Sequence, residues 1–102
     1  MVTPVTPQGG VHSIITTGGV AVVAVNGGPN GGIITNPLLA SDQGLVTAEV
    51  LFINAVTTAT TSASGTNFAL QPGQSWNIIP GQTTATSVNA ATSGHAFSVM
   101  SW

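Results

Sequence analysis

The chain has 102 residues, 42% of them hydrophobic, with Asp42 and Glu49 as its only acidic residues and no Lys, Arg or Cys, for a formal net charge of −2. Soluble domains ordinarily carry about 25% charged residues; here the figure is 2%, so nucleic-acid phosphate and an anionic membrane surface find no cation to bind. Without cysteine there is no disulfide or zinc-thiolate staple, and no apolar run approaches the ~18–20 residues of a membrane-spanning helix.

The first ten residues, MVTPVTPQGG, have neither the positive start nor the apolar stretch of a signal peptide. Pro4 and Pro7 fix their own φ and push Thr3 and Thr6 toward extended backbone. The segment reads as a frayed tail or as an extended arm whose Val2 and Val5 dock on a neighbour, and the arm is the reading adopted. The expected organisation is an arm over 1–10 followed by one domain over 11–102.

Strand character begins at Val11. VHSIITT (11–17) is β-branched and stops at Gly18-Gly19, and VAVVAV (20–25) is a run of strand length, too short for a buried helix. The glycine cluster NGGPNGG (26–32) raises the question of a phosphate loop. A Walker-type loop needs a lysine after its glycines, and a dinucleotide loop needs glycine where Pro29 or Asn30 stands. The cluster is therefore read as a reversal between two strands, because asparagine and glycine tolerate positive φ and Pro29 presets its own. GIIT (32–35) follows, and Asn36-Pro37 marks the next turn.

LLASDQG (38–44) is the only stretch with helical character, about one turn. LVTAEVLFINAV (45–56) is read as the best strand, with Val46, Ala48, Val50, Phe52 and Val56 on one face. Thr47, Glu49, Leu51 and Ile53 fall on the other, which the two apolar residues mark as partly covered. TTATTSASGTN (57–67) is polar and of low complexity, a long loop or a flat edge. Two short strands flank QPGQ (71–74), a type II turn signal, and a second Pro-Gly at 80–81 leads into TTATSVNAA (83–91). The chain turns again at Gly94 and closes with a strand carrying His95, Phe97 and Val99 on one face.

Seven or eight short strands, turn signals every 8 to 12 residues and no long helix predict an all-β fold: a small antiparallel β-sandwich, immunoglobulin-like or jelly-roll-like. Disorder fits poorly, since it goes with low hydrophobicity and high net charge. A weakly charged chain tends instead to associate, so a homo-oligomer or a surface-bound state is expected.

The titratable side chains are His12, Asp42, Glu49 and His95. Serines abound, but there is no G-x-S-x-G elbow and no histidine or carboxylate pair at metal-ligand spacing. Each histidine reads as a strand residue with a local hydrogen bond. No catalysis, cofactor or metal is expected. Trp76 is assigned to the core and the terminal Trp102 to an interface. No asparagine lies in an N-glycosylation sequence, and the threonine-rich stretch lacks the repetition over several strands that an ice-binding face needs.

The segments IITNPLLASDQGL, AEVLFINAV and LQPGQSWNIIPGQTTATSVNAATSGHAFSV resemble small virion proteins of tailed bacteriophages, of the capsid-decoration or head-fibre kind. The likeness runs from about residue 33 to 99 in overall texture, and L-x-PGQ-x-W also resembles turns of immunoglobulin-like sandwiches. It implies a non-enzymatic β domain made in a bacterial cytoplasm and carried on the virion. The resemblance transfers no site residues. The implied function is that of a capsid decoration (cement) protein binding the major capsid protein or other virion proteins through uncharged contacts. Val2, Thr3, Pro4, Val5, Pro7 and Trp102 are the candidate interface residues. The alternative is a tail, fibre or spike component that recognises host surface glycans.

Overall fold

Glycine and proline turns cut the described chain, residues 8–14, 23–82 and 84–102 of a computed structural model, into eight strands and one helical turn. In chain order these are β1 (Gln8–Ile14), β2 (Val23–Val25), β3 (Gly32–Thr35), α1 (Ala40–Gln43), β4 (Leu51–Asn54), β5 (Phe68–Leu70), β6 (Ser75–Ile78), β7 (Thr86–Asn89) and β8 (His95–Ser101). No helix among the described residues is long and apolar enough to cross a membrane.

The pairing is nested. β1 pairs with β8, β2 with β7, β3 with β6 and β4 with β5, all antiparallel. This long folded ribbon then rolls up so that β8 also pairs with β3, and β7 with β4. The result is two sheets of order β1-β8-β3-β6 and β2-β7-β4-β5, with every connection except β4–β5 passing from one sheet to the other. That order is the double Greek key of a jelly roll, so the β-sandwich takes the jelly-roll form rather than the immunoglobulin-like one.

The turns work as their residues dictate. In NGGPNGG, Gly28 and Gly31 exchange backbone hydrogen bonds of 2.9 and 3.0 Å, with Gly31 at a φ of 112°, so the cluster is a reversal between β2 and β3. In QPGQ, Gln74 N–H donates to Gln71 O at 3.0 Å with Gly73 at φ 87°, which is type II geometry. This turn joins edge strands of different sheets, so it is a corner and not a hairpin. Beside it the Phe68 and Trp76 rings meet across the sandwich, centroids 5.4 Å apart, and cover that side of the core.

Between the sheets lie Val25, Ile34, Leu51, Ile53, Leu70, Ile78, Val88, Ala90 and Phe97, with Trp76 and Val99 packed against them. Full burial of each large apolar side chain contributes roughly 1.5–3 kcal/mol. β8 follows its expected alternation: His95 and Phe97 are buried and Val99 packs on the core, whereas Ser98 and Met100 are exposed.

Two boundaries differ from the sequence reading. The strand expected over 45–56 spans only Leu51–Asn54, and its buried face is Leu51 and Ile53. Val46 is fully exposed, Val56 is exposed and Phe52 only half-buried. The cause lies upstream: side chains of Gln43 and Asn36 capture both backbone polar groups of Glu49, so residue 49 is withheld from any ladder. At the N-terminus, β1 takes in Gln8, Gly9 and Gly10, which pair with Ser101, Met100 and Val99. The remaining part of the expected arm, residues 1–7, lies outside the described residues, as do 15–22 and 83.

The outer face of the β2-β7-β4-β5 sheet is not open. The polar loop 55–67 folds back over it and buries Ala59, whose N–H donates to Ser87 Oγ at 2.9 Å and whose carbonyl accepts from Asn89 Nδ2 at 3.1 Å. Asn54 anchors the loop. Its Oδ1 accepts from the N–H groups of Val56 and Thr57, and its Nδ2 contacts Thr57, Thr66 and Asn67.

Candidate functional site

β3 ends at Thr35, and Asn36 turns fully inward. Its backbone is fixed first: Asn36 N–H donates to Gln74 O at 3.0 Å, and its carbonyl accepts from Gly73 N–H at 2.8 Å. Its side chain then spends both amide hydrogens, on Leu70 O at 2.8 Å and on Glu49 O at 3.0 Å. Oδ1 remains as the acceptor, and two donors converge on it: Gln43 Nε2 at 3.0 Å and His95 Nε2 at 2.9 Å.

Gln43 is the last residue of α1, and Gly44 in the left-handed region stops the helix behind it. Also fully buried, Gln43 directs Nε2 at Pro37 O (2.7 Å) and Glu49 O (3.1 Å), while its Oε1 accepts from Glu49 N–H at 2.8 Å. Asn36, Gln43 and His95 thus form a buried polar plug under the connection from β3 to β4. Such groups stabilise when satisfied and are costly when stripped of partners.

One atom of the plug is not satisfied. Because Asn36 offers His95 an acceptor, the hydrogen of the neutral imidazole is on Nε2, and Nδ1 is bare. Nδ1 is buried with no hydrogen-bond partner, a condition shared among the described residues only by Trp76 Nε1. Desolvation pushes the His95 pKa below its ordinary 6.5, with the Glu49 charge acting in the opposite direction.

Above the plug the connection presents apolar side chains to solvent. Leu38 is 66% exposed, Leu39 57%, and Val46 completely; Leu38 leans over Gly73 of the QPGQ corner, with 3.2 Å between its Cδ1 and the position of a Cβ there. The two carboxylates of the chain sit on the same connection. Asp42 is exposed, while Glu49 accepts the Thr92 hydroxyl at 2.7 and 2.9 Å. The remaining sequence has no Asp, Glu, Lys or Arg.

The residues singled out from sequence are dispersed. Val2, Thr3, Pro4, Val5 and Pro7 lie outside the described residues. Trp102 is half-buried at the opposite end, where its carbonyl accepts from Asn30 N–H at 2.8 Å and its N–H donates to Gly31 O at 3.2 Å. His12 stands opposite Phe97 in the β1–β8 register. Neither His95 nitrogen is hydrogen-bonded to a hydroxyl or a carboxylate, and no group of three metal-ligating side chains occurs among the described residues. Sequence reasoning missed Asn36 and Gln43: Asn36-Pro37 reads as a turn, and no spacing marks Gln43 as buried.

No protein-family model, no curated protein and no solved structure matches the chain.

Proposed function

We propose that the protein is a non-enzymatic structural component of a tailed-phage virion, a capsid decoration protein that grips neighbouring shell subunits through uncharged contacts. The observation that supports this reading most directly is the β3–β4 connection. A buried network of amides holds it in one conformation, and that conformation keeps Leu38, Leu39 and Val46 in water. Exposing large aliphatic side chains on a pinned loop gains a monomer nothing. Covering them against a partner recovers about 25 cal/mol per Å² with little rearrangement on binding, and ionic screening leaves such contacts nearly untouched.

The test adds purified protein to undecorated capsids and measures occupancy by gel densitometry, with position and copy number read by electron microscopy. Leu38→Ser together with Val46→Ser should lower occupancy while leaving folding intact. Deleting residues 2–7 should lower it as well if the arm is a second contact. Full occupancy by the double variant removes this connection from the mechanism. The second reading, a tail or fibre module for host glycans, has one observation in its favour: Phe68, 45% exposed, with its ring tilted 49° against that of Trp76, leaves an aromatic surface of the kind on which sugar rings pack. Binding of the isolated protein to host cells, lost in Phe68→Ala, would favour that assignment.

A further inference from the structure

We propose that His95 is a proton-operated latch for the β3–β4 connection: acidification expels the imidazole from the plug and frees residues 37–48. This deepens the reading of that connection as the docking surface and rests on it.

The geometry discriminates between two protonation states. Neutral His95 fits, because its single N–H meets Asn36 Oδ1 at 2.9 Å. An imidazolium carries a second N–H on Nδ1, and that position is buried with no acceptor. The protonated ring therefore places both a charge and an unpaired donor inside the protein, and it gains partners only by leaving. Desolvation lowers the His95 pKa in the same sense.

Few other charges bear on the ring. Of the elements around it, the segment after α1 contributes Glu49, whose charge favours the imidazolium and whose oxygens hold Thr92 in the turn before β8. α1 contributes the exposed Asp42. On β1, Ile14 is the register partner of His95, and His12 stands two residues away opposite Phe97. Those three and His95 itself are all the titratable side chains of the sequence. When the ring leaves, Asn36 Oδ1 keeps Gln43 as its only side-chain donor, and Gln43 and Asn36 are the groups that hold Glu49. One proton thus reaches the anchor of Leu38, Leu39 and Val46.

The test is two-dimensional NMR with amide hydrogen exchange on the full chain, from about pH 7 to about pH 4.5, corrected for intrinsic exchange. Opening of 37–48 linked to one proton should grow by up to about tenfold per pH unit between the ordinary imidazole pKa of 6.5 and the lower value of the buried ring, while amides of β4, β7 and β8 remain protected. His95→Gln, whose amide can still donate to Asn36 but cannot titrate, should abolish the pH response, and His12→Gln should preserve it. The same response in His95→Gln as in the parent chain overturns the latch. Should that variant not fold, the parent chain decides: His95 protonating with the 37–48 amides unmoved, or all strands opening together, overturns it equally. No capsid enters this experiment, so its failure leaves the docking proposal standing, and loss of the docking proposal leaves the proton-linked opening measurable.

Discussion

Replacing Asn36 with alanine tests how much of the fold rests on one buried amide. The substitution deprives His95 Nε2–H of its acceptor and withdraws the side-chain donors from Leu70 O and Glu49 O. Glu49 O retains Gln43 Nε2, and Gln43 retains Pro37 O. An orphaned buried donor costs about 1–3 kcal/mol, and each of the two other lost hydrogen bonds about 1 kcal/mol net, so the loss should be about 3–5 kcal/mol. Against a total stability of roughly 5–15 kcal/mol, that is a large share. At roughly 4–8 °C per kcal/mol for a domain of this size, Tm should fall by about 12–40 °C. Urea unfolding followed by fluorescence of Trp76 and Trp102 gives the number, with an unchanged slope showing that the transition remains two-state. Ser75→Ala is the control. Ser75 is exposed and bonded only to the Thr35 hydroxyl, so its loss should stay within about 0.5 kcal/mol. A loss under about 1 kcal/mol for Asn36→Ala would mean that water or a repacked Gln43 takes over the amide's role, and the plug argument would fail.

Other expectations follow from the same structure. Phe97→Ala empties the largest buried side chain of the core and should cost about 3–5 kcal/mol by denaturant titration. Gly28→Ala should disrupt the reversal at NGGPNGG, since a Cβ there would lie 2.7 Å from the Trp102 carbonyl carbon. Gly65→Ala meets no atom and should cost only the ~1 kcal/mol of its left-handed backbone, a contrast readable in thermal melts. For pH, the folded His95 pKa is depressed relative to the ordinary 6.5 of the unfolded chain. Between those two values the unfolded state binds more protons. The stability contributed by the neutral ring is therefore complete above pH 6.5 and lost as pH falls through the folded pKa; a Tm rising on acidification would contradict this.

The punctuation of this fold was readable in advance, whereas its buried polar parts were not. NGGPNGG, QPGQ and the glycine before His95 force backbone geometries that only certain residues adopt, so the turns could be placed from residue type alone. The alternation of His95, Phe97 and Val99 likewise marks an inward face without any knowledge of partners. The segment 45–56 misled because its β-branched residues suit a strand, and nothing local reveals that Asn36 and Gln43 will claim the backbone of Glu49 first. Asn54 and Asn89 posed a related difficulty. They face away from the core and are buried only because the 55–67 loop returns to cover them, a long-range event that periodicity does not encode. The exposure of Leu38, Leu39 and Val46 was hidden for the opposite reason: apolar residues next to a helical turn look like core until a structure leaves them in water.

The place of β8 constrains how the molecule comes into being. It is the last described strand along the chain, yet in its sheet it lies between β1 and β3. Neither neighbour can complete its ladder during synthesis until residues 95–101 have left the ribosome. Such distant pairings form slowly, because chain closure precedes the contacts that reward it. During that interval β1 and β3 are adhesive ribbons with no lysine or arginine to keep other chains away. Newly made copies therefore face a race between maturing alone and sticking to one another, and dilution or a lower expression level should raise the yield of native protein.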